Sequence, residues 1–345
     1  MVETNYKYPR VFIACVMIFS TQCLHAEVVV DGTIAVTTEI TPTDGTYAIN
    51  ESHGKVEGTN QFHSFTEFNI SDGEVAKFSG PDGVKNIISR VTGGNASTIN
   101  GSISSDITGV NMWLMNPEGI LFGENATLDI QGSFHATTAD YIKFRDGSSY
   151  DAIDSSVLGP TDPYVFGFIE QPTSLSGTIE VTNSKLAVNE GESISLVGSD
   201  ISLKGSLLEA PGGIISVVSI NEEGEVIYSD SVGLDSSSTQ KFGPVSVDSS
   251  SFKVNGEQRG NLLLKGGDID INLRNTDFVS GVTSLKTSFP DSEDLLEKPC
   301  ELADFYNQGK MSFTVDLDEE DTEYGLKTKK IRRGPIGGDE KTECL

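Results

Sequence analysis

The sequence predicts an all-β chain wound as a parallel β-helix, and three observations carry that expectation. Short apolar runs recur along most of the chain, each bounded by Gly, Asn, Asp or Pro. Within Gly191 to Ile220 (GESISLVGSDISLKGSLLEAPGGIISVVSI) apolar pairs fall at Ile194/Leu196, Ile201/Leu203, Leu207/Leu208 and Ile214/Val217. Three such strands fit in about twenty residues, close to one solenoid coil. Finally, Leu196 to Leu203 is partly repeated as Leu264 to Ile271, a shift of 68 residues, which at that coil length is between three and four coils. Coils stack at the strand spacing of ~4.8 Å, so inward Ile, Leu and Val pile up and fill the bore. A β-sandwich is the rival, because it also has many short strands and because Asn100-Gly101 and Asn255-Gly256 are hairpin signals.

The elements follow in order. Lys7 and Arg10 precede an apolar run, Val11 to Phe19, and Leu24-His25-Ala26 precede Glu27. This is the pattern of a secretory signal peptide ending at residue 26. A buried core helix and a lipoprotein site at Cys23 are the alternatives; Gln22 before Cys23 argues against the second. Strand signals then fall at Glu27 to Val30, Ile34 to Thr38, Glu74 to Phe78, Ile87 to Val91, Met112 to Met115, Ile120 to Phe122 and Thr127 to Ile130. The best helix candidate is short, Asp291 to Lys298. Asp316 to Glu323 is an acidic run and Lys327 to Arg333 a basic one, with Gly and Pro beyond. Such blocks read as a solvated tail. The expected organisation is a signal at 1–26, a β-helix over 27–291, and a tail over 292–345 that caps the open end of the last coil.

Charge and chemistry narrow the function. The formal net charge is −27, and −28 without residues 1–26, which hold Lys7, Arg10 and Glu3. That balance repels nucleic acid and anionic lipid. No stretch after residue 26 is long and apolar enough to span a membrane. The mature part keeps two cysteines, Cys300 and Cys344, which in an oxidising compartment either pair and close a C-terminal loop, remain free, or pair between chains. His53, His63 and His135 show no metal-ligand spacing, and the common nucleophile and phosphate-binding motifs are missing, so no cofactor and no metal are expected. His63 and His135 read as packed structural residues. Asp268 and Asp270 share one face of a strand. A glycosidase pair or a calcium site is conceivable there, against an ordinary solvent-facing polar edge.

The most distinctive stretch is Asn111 to Gly123, NMWLMNPEGILFG. Pro117 suits position i+1 of a turn and Gly119 tolerates positive φ after it. An Asn amide can close such a turn, which makes a rigid corner between two apolar strands.

With Phe62-His63-Ser64-Phe65, Phe68-Asn69-Ile70, Asn86 to Gly94, Gly132 to Ala136, Thr138 to Asp140 and Pro163 to Phe168, this stretch resembles the filamentous-haemagglutinin N-terminal domain of two-partner-secretion exoproteins. The likeness runs from about Glu27 to about Ile220. It implies a right-handed parallel β-helix, a pectin-lyase-like solenoid with an N-terminal cap, and no enzymatic activity. It implies export through the periplasm to the cell surface or medium of a Gram-negative-type bacterium. The implied partner is an outer-membrane β-barrel transporter with periplasmic binding domains, with a surface or adhesin-like role that a host or cell-surface glycan would serve. The family's Asn-Pro-Asn turn falls on Asn116-Pro117, so Asn111, Asn116, Pro117, Gly119 and Asn69 are the implied recognition or export residues. Glu118 departs from that pattern. The competing functions are a carbohydrate-active β-helix enzyme, lyase or hydrolase, and a passive glycan-binding scaffold.

Overall fold

The computed structural model describes residues 27–152, 156–169, 177–229, 233–236, 241–254, 256–257 and 260–267, and as backbone the strands 269–274, 279–280, 285–289, 292–296 and 311–316. The expected signal peptide, Cys300, Cys344, Asp268, Asn255 and the charged runs of the tail beyond Asp316 lie outside the described residues.

The chain is a parallel β-helix. From Asn60–Phe68 onward, a strand from each coil joins one broad sheet: Asn86–Val91, Asn111–Met115, Phe134–Thr137, Ile194–Gly198, Ile214–Ser219, Asn261–Lys265 and Leu285–Phe289 pair parallel in that order. A second face is a seven-stranded parallel sheet running from Ser97–Ile99 to Met311–Asp316. The third face is two four-stranded sheets, one starting at Thr46–Ile49 and the other ending at Val279–Ser280. A sandwich is ruled out, because successive strands go to different sheets and return in parallel one coil later. Asn100-Gly101 accordingly joins Ser97–Ile99 to Ser102–Ser105 across a corner between two sheets, not a hairpin.

Alternation decides the bore. In the broad sheet two inward rows stack in register: Met112, Phe134, Ile194, Ile215 and Leu262, then Leu114, Ala136, Leu196, Val217 and Leu264. Ile215 takes the inward place expected of Ile214, because Val217 sets the parity of its strand. Each fully buried side chain contributes roughly 1.5–3 kcal/mol by leaving water. Register also corrects the internal repeat. Leu196 and Leu264 stand in one row with Val217 alone between them, and Ile201 aligns with Val245 and Ile269. The 68-residue shift is therefore two coils, because an insertion lengthens one of them.

Two such insertions leave the helix and form a second layer. Tyr141–Phe144, Ser149–Asp151 and Pro163–Phe168 come from one coil, Gly224–Ser229 and Gly233–Asp235 from a later one. Together they make a five-stranded antiparallel sheet laid over the outside of the broad sheet. Its apolar face, including Ile142, Phe144, Phe166 and Val226, closes a second core on Phe62, Ile88, Trp113, Met115, Val197 and Val218.

The N-terminus covers the first coil. Val28–Val30 and Gly54–Glu57 pair antiparallel with Asn60–Phe68, so the sheet edge there is occupied. The strand expected over Ile34 to Thr38 shrinks to Thr38–Glu39. Asp31 takes hydrogen bonds from the Thr33 backbone and hydroxyl, and Gly32 has φ +88°, so the chain turns there instead of extending. At the far end, the expected helix over Asp291 to Lys298 is instead the strand Ser292–Leu296, paired antiparallel with Leu285–Phe289. An eight-residue helix is marginal alone, whereas an open sheet edge satisfies the backbone at once. Two strands, Ser292–Leu296 and Met311–Asp316, thus carry the sheets past residue 291.

Candidate functional site

The Asn116–Gly119 corner joins Asn111–Met115 to Ile120–Phe122. The Gly119 N–H donates to the Asn116 carbonyl at 3.1 Å, closing the turn, and the Glu118 N–H donates to Asn116 Oδ1 at 3.0 Å. Asn116 Nδ2 donates downward to the Asn95 carbonyl and to Ser97 Oγ of the previous coil, both at 3.0 Å. Its backbone N–H donates upward to the Thr137 carbonyl at 3.0 Å. Asn116 is 1% exposed, so its amide is consumed inside the fold. Gly119 has φ +125°, and a Cβ there would lie 3.0 Å from the Thr178 carbonyl. Pro117 is half-buried and Glu118 exposed at the tip, which is why a carboxylate is tolerated where the family pattern has Asn.

Asn69 reaches Ser97–Ile99, the strand beneath the corner, from the coil before. Its Oδ1 accepts the Thr98 N–H at 2.8 Å, and Ile70 forms a parallel bridge with Ile99. Asn69 therefore replaces a backbone carbonyl at the first edge of the seven-stranded sheet. Asn111 stands apart, at the other end of its strand, in a ladder. Asn60 Nδ2 donates to the Gly159 and Thr161 carbonyls at 2.8 and 2.6 Å. Asn86 Nδ2 donates to Asn60 Oδ1 at 2.9 Å, and Asn111 Nδ2 to Asn86 Oδ1 at 3.2 Å. The ladder ends where Asn111 Oδ1 accepts the Ser133 N–H at 2.9 Å. Asn60 and Asn86 were not among the expected site residues, although Asn86 opens one of the resembling stretches and their spacing from Asn111 is the coil period itself.

Arg90, inside the resembling stretch Asn86 to Gly94 but given no role there, is 4% exposed. It donates to Ser64 Oγ at 2.7 Å, Thr33 Oγ1 at 2.9 Å, Ser156 Oγ at 2.6 Å and the Asp151 carbonyl, and lies over the Tyr150 ring at 4.5 Å. It ties cap, first coil and outer sheet together. Ser64 and Thr92 both donate to Asp31. Burial pushes the Asp31 carboxyl up, but these bonds and those from Thr33 together hold it below its ordinary value.

Both expected packed histidines are buried. Gln61 Nε2 donates to His63 Nε2 at 2.9 Å, which leaves His63 Nδ1 to donate to the His53 carbonyl at 3.2 Å, so the ring is neutral. Burial lowers its pKa to about 4, with the His53 carbonyl opposing. His135 is lowered to about 3 by burial alone. Of the acidic pair, Asp270 stands in register with Ser246 and Ser312, so no carboxylate lies opposite it on either neighbouring strand.

A family model described as the TPS secretion domain matches residues 26–280. The chain belongs to this family. A heme/hemopexin-binding protein of Haemophilus influenzae is 36% identical over 82 residues, a match covering 24% of this chain and 9% of that protein. The crystal structure of the HMW1 secretion domain from Haemophilus influenzae aligns over 69% of this chain and 74% of that one, at 18% identity and a TM-score of 0.41. The match makes the chain a two-partner-secretion exoprotein sequence, and the family favours this over a carbohydrate-active enzyme. Family membership implies an outer-membrane transporter as partner. No helix among the described residues is long and apolar enough to cross a membrane.

Proposed function

We propose that this TPS secretion domain is delivered, after a signal at residues 1–26, to an outer-membrane β-barrel transporter with periplasmic binding domains, and folds at the cell surface without catalysing a reaction. The family match beginning at residue 26 supports that boundary. In this reading Asn69, Asn111, Asn116, Pro117 and Gly119 serve export by stapling one coil to the next, not by presenting a folded recognition surface. The observation that carries it is the Asn116 amide, whose nitrogen is spent on the previous coil and whose oxygen closes its own turn, at 1% exposure. A partner meets these residues only before the coils close. Each coil formed outside would then hold the emerging chain against return, with folding free energy in place of ATP. The secreted exoprotein then has a surface-associated, adhesin-like role, and Cys300 and Cys344 would close a loop in its C-terminal segment.

The test is secretion of Asn116→Ala and Asn111→Ala chains in cells expressing the cognate transporter, beside refolding of the purified proteins. The expected result is less secreted protein with proportionally slower or weaker refolding. Blocked secretion with unchanged refolding would assign Asn116 to direct recognition instead.

A further inference from the structure

The two layers meet on a seam containing one conspicuous side chain. His135 projects from the broad sheet toward the outer sheet and is fully buried. Its ring centroid lies 4.0 Å from that of Trp113, 4.5 Å from Tyr228 in an edge-on contact, and 6.5 Å from Phe166. Phe166 and Tyr228 belong to the outer sheet, one from each insertion. Neither His135 ring nitrogen has a hydrogen-bond partner, nor have Trp113 Nε1, Ser216 Oγ or Ser236 Oγ. Ser216 lies two coils above His135 in the same outward row, with Ser195 between. A buried polar group without a partner costs roughly 1–3 kcal/mol, so this seam is weaker than its apolar area alone suggests. A charged ring in this box would find no hydrogen-bond acceptor. Among the described residues, the groups facing His135 are Trp113, Phe166, Tyr228 and in-register Ser195, and none of these carries a carboxylate.

We propose that the outer antiparallel sheet is a detachable layer, seated on the coil only while His135 is uncharged, and that acidification lifts it off and bares the apolar row around Trp113. The docked ring holds no proton down to about pH 3, whereas a released ring titrates near its ordinary 6.5. The seated state is therefore fully favoured above that ordinary value and loses ground as pH falls. The released-to-seated ratio rises about tenfold for each pH unit below about 6.5, until the seated ring itself takes the proton. His63 is also buried and neutral, but it sits inside the first coil, away from Trp113. Its protonation weakens that coil rather than the seam.

Trp113 is the single tryptophan of the chain, so its fluorescence reports the seam directly. With the full chain, Trp113 emission is expected to shift to the red between pH 7 and pH 4 while far-ultraviolet circular dichroism keeps its β signal. His135→Phe and His135→Leu are expected to abolish that shift, and His63→Phe to leave it. No shift in the wild type, an unchanged shift in folded His135 variants, or emission and dichroism collapsing together would overturn the proposal. Should neither His135 variant fold, the wild-type His135 ring proton decides it by nuclear magnetic resonance. Its titration must coincide with the Trp113 shift, and a mismatch between the two overturns it.

Discussion

The bore and the seam are both apolar cores, yet they are built on opposite terms. From the Met112 coil onward the bore rows of the broad sheet are wholly apolar, each side chain resting on its counterpart one coil away. The seam joins segments far apart in sequence, such as Trp113 with Tyr228, and admits Arg90, His135 and Ser216. Repetition makes the bore additive, coil by coil. The seam has no repeat, and its polar atoms are either fully used, as at Arg90, or unused, as at His135. The difference points to a coil stack as the durable body and an outer sheet as its separable part.

The comparison can be broken most forcefully in the bore. Phe134→Ala should cost about 3–5 kcal/mol, read as a lower urea midpoint with coil and outer-sheet amides losing protection together. A loss confined to the outer sheet would reverse the roles assigned to the two cores. At the seam, Arg90→Ala should cost about 2–3 kcal/mol, because several buried oxygens lose a charged donor. Hydrogen exchange should then show Tyr141–Phe144 and Ser149–Asp151 opening before the Ile194–Gly198 strand. Gly119→Ala forces an alanine to φ +125° against the Thr178 carbonyl, at about 1–3 kcal/mol. Asn86→Ala cuts two rungs of the amide ladder for about 1–2 kcal/mol, measured by chemical denaturation beside Asn60→Ala. The smallest effect should be Lys185→Ala, which removes an ion pair between an exposed lysine and half-buried Glu209 and should move stability by less than about 1 kcal/mol.

Much of the coil was legible because its code is local. The parity of Ile194 and Leu196, or of Ile201 and Leu203, marks inward positions without knowledge of a neighbour. Asn116-Pro117 was legible as a corner for the same reason. The cap strand at Ile34 to Thr38 and the helix at Asp291 to Lys298 were misread because local propensity lost to an Asx turn and to an open sheet edge. The coil count between Leu196 and Leu264 was misread because insertions stretch the apparent period without adding a coil. The roles of Asn60 and Asn86 needed the register, which turns a spacing into a ladder of bonds.

By itself, then, the sequence determined short strands whose alternate Ile, Leu and Val face a core, because side-chain alternation and turn residues act over a few positions, and it left the choice of coil over sandwich to the family motifs and the register. It also carried the family motifs that place the chain among TPS secretion domains. Only the tertiary structure decided that two insertions from different coils pair into one outer sheet, that Arg90 fastens it to the cap, and that His135 lies uncharged beneath it. Those contacts join residues dozens of positions apart, and no period in the sequence encodes them.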